Sequence, residues 1–121
     1  MVNGCIELIE GLEVDHDLVV ALGGPPAEFV LSGGEGGKSG YWPRVWATRG
    51  LLHEWDDVAT PAIIRATADG AWRVREMAAK VIARHDVGEA LEAVAVLRDD
   101  PVARVRAAAD RAVERLVVRR A

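Results

Sequence analysis

The stretch Ser32-Gly33-Gly34-Glu35-Gly36-Gly37-Lys38-Ser39-Gly40 comes nearest to a chemical motif. A phosphate-binding P-loop reads G-x-x-x-x-G-K-[ST]: its backbone N–H groups cradle phosphate oxygens, and its lysine reaches the terminal phosphates. Gly37-Lys38-Ser39 supplies the end of that pattern, but Ser32 stands where its first glycine belongs. The motif also needs a parallel sheet, and a helix that would have to run through Gly40 and Pro43. The only run resembling the second nucleotide motif, AVAVLRDD at 93–100, reads as helix. The bland reading is a connector in which Ser39 caps a helix beginning near Tyr41. A loose anion site built from Lys38 and the glycine N–H groups is the alternative.

A second cluster is His53-Glu54-Trp55-Asp56-Asp57, at a helix end. Imidazole and carboxylates together suit a divalent metal, yet helix ends gather polar residues anyway. His16, His53 and His85 lack ligand spacing such as H-E-x-x-H. His85 falls on an apolar stripe near a helix C-terminus, where a structural or dipole role is expected. There is no nucleophile elbow and no paired-carboxylate motif. The sequence therefore assigns no catalytic, cofactor-binding or metal residue, and a non-enzymatic protein is expected.

The bulk numbers fit one domain over residues 1–121. Half of the 121 residues are hydrophobic, enough for a core. No apolar run approaches the roughly 20 residues of a membrane span, so a soluble cytoplasmic protein with no membrane partner is expected. The single cysteine, Cys5, excludes an internal disulfide and a cysteine-based zinc site. The net charge of −4 argues against a strongly basic nucleic-acid binder.

What would position these residues is a repeat. DGAWRVREMAAKVIARH from Asp69 and DPVARVRAAADRAVERL from Asp100 align without gaps at a spacing of 31 residues. Arg73-Val74-Arg75 matches Arg104-Val105-Arg106, Ala78 matches Ala109, Lys80 matches Arg111, and Arg84 matches Arg115. A degenerate third copy lies one spacing earlier, with Arg44, Ala47, Arg49 and Leu51 in register and Lys38 replacing the leading aspartate. Each copy reads as a helix. Val74, Met77, Ala78, Val81, Ile82 and His85 form one stripe at helical period. Asp100-Pro101 reads as an N-cap and first-turn pair. Shorter helices are expected to start at a Thr60 cap and at an Asp86–Glu89 capping box. No segment alternates with period two, so no sheet is expected. Residues 1–40 are acidic and irregular, and read as an N-terminal cap on repeats spanning 41–121.

The leading Asp69 and Asp100, the Val74-Arg75 and Val105-Arg106 pairs, and Ala78 and Ala109 resemble the HEAT repeat family. The likeness is to its short HEAT-like repeats, also seen in phycobilisome lyases, and to small bacterial members. The resemblance covers about residues 41–118. It implies a short right-handed α-solenoid of about three helical pairs that binds macromolecular partners. It also implies a ladder between repeats made by Asp69, Arg75, Asp100 and Arg106.

One long-helix edge collects cations: Arg73, Lys80 and Arg84, then Arg104, Arg111 and Arg115, with Trp42 and Arg49 in the first copy. The three long helices, residues 41–55, 72–85 and 101–116, carry 10 basic and 4 acidic residues, against 5 and 15 elsewhere. Charge is thus segregated by helix. The edge is read as a surface for a partner protein, with nucleic acid or another anionic ligand as the alternative. A homo-oligomer is compatible with it. Trp46 reads as core, Trp72 as half-buried and Trp55 as sealing a turn. Trp42 reads either as an exposed anchor or as packed beneath the N-terminal cap.

Overall fold

The computed structural model describes residues 2–9 and 42–120. The glycine-rich segment, Lys38, Ser39 and most of the expected N-terminal cap lie outside the described residues. The described elements are α1 (Val2–Ile9), α2 (Trp42–His53), α3 (Thr60–Ala66), α4 (Trp72–His85), α5 (Leu91–Val96) and α6 (Ala103–Arg120). Single 3-10 turns lie at Asp57–Ala59, Gly88–Ala90 and Leu97–Asp99. There is no strand among the described residues, and none of their helices is long and apolar enough to cross a membrane.

The 31-residue spacing reappears in the backbone. The 3-10 turn at Asp57 returns at Gly88, α3 at Thr60 returns as α5 at Leu91, and α4 at Trp72 returns as α6 at Ala103. Long helix packs on long helix, α2 on α4 and α4 on α6, while α3 and α5 pack against α4 and α6. Helix α1 lies against α2 and α3. The period extends through the short helices, where sequence identity does not reveal it. Ala59 and Ala90 are both buried, as are Ile63 and Val94.

The core is built from small and branched side chains at repeated positions. Ala47, Ala78 and Ala109 are all fully buried, so a residue without a γ-carbon sits at each equivalent point of α2, α4 and α6. That permits close approach, toward the short end of the usual ~8–10 Å between helix axes. Pro43, Val74 and Val105 form a second buried column, and Leu51 and Ile82 a third. The expected stripe of α4 proves too narrow. Glu76 and Ala79 are buried as well, because a helix with long neighbours on two sides covers more than one face.

The expected caps are corrected. Thr60 is already helical, at φ −53° and ψ −49°, because the turn at Asp57–Ala59 runs straight into α3. Its side chain therefore caps nothing, and Ala59 occupies the N-cap position. Asp86 ends α4 instead of starting a capping box. It adopts the left-handed conformation at φ 52° and donates its N–H to Ile82 O, a conformation aspartate tolerates better than most residues. Val87 then opens the next turn with no side-chain cap. Asp100 acts a little ahead of α6: its Oδ1 accepts Val102 N–H at 2.9 Å, and Pro101 lies in the bend before Ala103.

Candidate functional site

The leading aspartates and the arginines of the second column meet across the repeats. Arg44 donates from Nε and Nη2 to the Asp69 carboxylate at 2.7 and 3.3 Å. Arg75 repeats this on Asp100 at 2.8 and 3.2 Å. Each carboxylate also holds the backbone of its own turn, Asp69 through Ala71 N–H and Asp100 through Val102 N–H. Each following arginine returns to its own repeat, Arg75 Nη1 to Asp69 O at 2.9 Å and Arg106 Nη1 to Asp100 O at 2.7 Å. Burial alone pushes the Asp100 carboxyl up. The hydrogen bonds from Arg75 and Val102, with the charges of Arg75 and Arg106, outweigh it and leave the group below its ordinary 3.8.

The edge read as a partner surface also makes contacts within the chain. Arg73 is half-buried, its guanidinium 5.2 Å from the Trp42 ring centre and 4.6 Å from that of Trp72. Arg104 lies over Trp72 at 5.3 Å, and Trp42 stacks on Trp46 at 6.2 Å. The result is a ladder of alternating indole and guanidinium across α2, α4 and α6. Each such contact is worth about 0.5–1 kcal/mol where exposed, and more where water is excluded. Trp42 is half-buried, between the two alternatives read from sequence, and Trp46 is in the core as expected.

Several edge cations are neutralised internally. Arg104 Nε is 3.0 Å from Glu76, Lys80 lies 3.9 Å from the same carboxylate, and Arg115 Nε is 2.9 Å from Asp86. Arg49, Arg84 and Arg111 are exposed. Sequence reasoning missed Glu76. A usable signal was present, because its register partner Val45 reads as core, and a carboxylate at such a position needs cations in reach.

A cleft of about 380 Å³ lies beside this ladder, lined among the described residues by Arg44, Gly70, Ala71, Trp72 and Arg73. A guanidinium held over indole rings in this way still carries N–H donors for an acceptor. No carboxylate among the described residues pairs with it.

The His53–Asp57 cluster does not gather. Asp56 accepts Val58 N–H, Asp57 accepts Trp55 Nε1–H at 3.0 Å, and His53 and Glu54 are exposed. Among the described residues no three histidine, cysteine or carboxylate groups could hold a metal ion. His85 has a structural use. Its Nε2 is 2.7 Å from Leu51 O and 3.1 Å from Leu52 O, and carbonyls only accept, so Nε2 carries the proton. The ring also stacks on Trp55 at 5.3 Å. His85 thereby serves the last carbonyls of α2, which have no partner within their own helix. Cys5 is fully buried, and burial above all pushes its thiol up to about 11. It is therefore a protonated core residue at neutral pH.

Comparison of the chain with protein-family models, with curated proteins and with solved structures finds no match.

Proposed function

We propose that this chain is a HEAT-like repeat module, a short right-handed α-solenoid of about three helical pairs. It acts without catalysis, binding a partner protein through its long-helix face. The observation that carries the reading is Arg73, half-buried between Trp42 and Trp72 at the edge of an open cleft. Tryptophan and arginine in a partly dehydrated setting are the side chains that most often dominate protein interfaces. A stacked guanidinium is already immobilised, so it captures a carboxylate at little further entropic cost. The partner residue that fits is an aspartate or glutamate presented beside an apolar side chain able to lie on Trp72.

Nucleic-acid binding along the same edge is the alternative. It is less well supported, because Arg104, Lys80 and Arg115 already face Glu76 and Asp86. The test uses the immobilised full chain against lysate, with and without nuclease. Retention of the same proteins after nuclease, with loss in Arg73→Glu and Trp72→Ala, is the expected result. Capture that disappears with nuclease, and whose affinity falls log-linearly and steeply with salt, would identify nucleic acid instead. Unchanged capture by Arg73→Glu removes the cleft from the reading.

A further inference from the structure

We infer that Gly70 is the residue that admits the partner's acidic side chain to Arg73, where that side chain takes the place Glu76 holds toward Arg104; this rests on the reading of the cleft given above. Two equivalent joints differ in a telling way. Arg73 and Arg104 share one register, each on a long helix that packs on the long helix before it. At the later joint the chain supplies its own anion, with Arg104 Nε 3.0 Å from the Glu76 carboxylate. At the earlier joint the register of Glu76 is held by Val45, which is buried. Arg73 therefore meets the rings of Trp42 and Trp72, and no carboxylate among the described residues. A half-buried guanidinium without a counter-charge favours an anion brought from outside.

Gly70 departs from its counterpart at the same joint. Asp69 Oδ1 accepts Ala71 N–H at 2.8 Å and Asp100 Oδ1 accepts Val102 N–H at 2.9 Å, so one kind of turn opens both repeats. Its middle residue is Gly70 in the first and Pro101 in the second. A turn that accepts proline, with its fixed φ, does not call for glycine. The Gly70 backbone accordingly lies outside the left-handed region, and a Cβ added there meets no atom within 4 Å. Neither strain nor packing explains the glycine. What its missing side chain does is leave room in the cleft that it lines with Ala71, Trp72 and Arg73. An acidic residue entering this cleft sets its carboxylate on Arg73 and its apolar neighbour against Ala71 and Trp72, and a side chain at position 70 competes for the same space.

The probe is N-acetyl-Glu-Leu-amide, a carboxylate beside an apolar side chain, titrated into the isotope-labelled full chain and followed by amide chemical shifts. N-acetyl-Gln-Leu-amide is the neutral control. The parent should show saturable shifts centred on Gly70–Arg73 with the acid and none with the control, and Arg73→Gln should abolish them. Gly70→Val and Gly70→Pro should each weaken binding at least about tenfold. Their Tm should rise, or fall by no more than about 2 °C, because both substitutions also restrict the unfolded chain. The two variants back each other: proline copies the turn of the next repeat, and valine keeps the backbone N–H. Binding that Arg73→Gln removes but both Gly70 variants retain overturns the inference and leaves the reading of the cleft standing. A larger fall in Tm in both variants also overturns it, since the glycine would then serve the turn. No saturable shift in the parent, or equal shifts from the control, overturns the inference together with the reading of the cleft.

Discussion

Asp100 is the residue whose replacement says most about how the repeats are joined. Its carboxylate accepts two hydrogen bonds from Arg75 and one from Val102 N–H. Its side chain is 5% exposed and that of Arg75 is 15% exposed, so neither group is readily rehydrated after a deletion. Asp100→Ala removes a two-pronged, charge-assisted contact worth about 1.5–3 kcal/mol. It also removes a turn-holding bond worth about 1 kcal/mol, by analogy with helix caps. The expected loss is about 3 kcal/mol. Asp100→Asn keeps an oxygen for Val102 and should lose about 2 kcal/mol. Asp69→Ala should cost less than Asp100→Ala, because Arg44 is the more exposed arginine at 27%. Urea unfolding followed by circular dichroism measures all three. The pH dependence adds an independent check. The Asp100 carboxyl lies below its ordinary 3.8 in the folded chain. Its contribution is therefore complete above the unfolded value and is lost as pH falls through the folded one. The parent should lose its advantage over Asp100→Asn below about pH 4. A cost for Asp100→Ala under about 0.5 kcal/mol, or parallel pH profiles for parent and Asn variant, would refute this account of the joint.

Other outcomes are fixed by single contacts. His85→Ala strips the Nε2 donor from Leu51 O and Leu52 O and should cost about 1–2 kcal/mol in urea unfolding, with His85→Gln retaining part of it. Ala78→Leu places a larger side chain at a fully buried position and should destabilise by about 1–3 kcal/mol through overpacking. Cys5 is buried, with its thiol pushed up to about 11. A disulfide thiol reagent at pH 8 should label it slowly in the folded chain and promptly in urea.

The long helices were legible because their register is written in strongly typed residues. Arg-Val-Arg and the buried alanines recur at fixed places, and the helical period of α4 needs no partner to be seen. Its C-terminus at His85 coincides with the end of the expected stripe. The caps were misread for a local reason. Thr60, Asp86 and Asp100 are all good cap formers, but Thr60 continues a 3-10 turn, Asp86 is left-handed at the end of α4, and Asp100 holds Val102 N–H ahead of the start of α6. The basic edge was read from position alone. One-dimensional spacing places cations on an edge, but not the carboxylate across the stack that meets them, so the core register of Glu76 was legible while its contact with Arg104 was not. The stacking of Arg73 between two tryptophans was likewise hidden, since Trp42 and Trp72 belong to different register columns.

The placement of the tryptophans has an optical consequence. Trp42, Trp46, Trp55 and Trp72 all precede Arg73, and neither α5 nor α6 contains one. Intrinsic fluorescence therefore watches only the first part of the molecule, whereas the circular dichroism signal at 222 nm weighs every helix. If the last helical pair opened ahead of the rest, ellipticity would fall while emission changed only through the loss of Arg104 over Trp72. Coincident transitions by the two signals would mean that the joint at Asp100 transmits unfolding as a single event. The molecule carries its own two-colour test of cooperativity, with no label added.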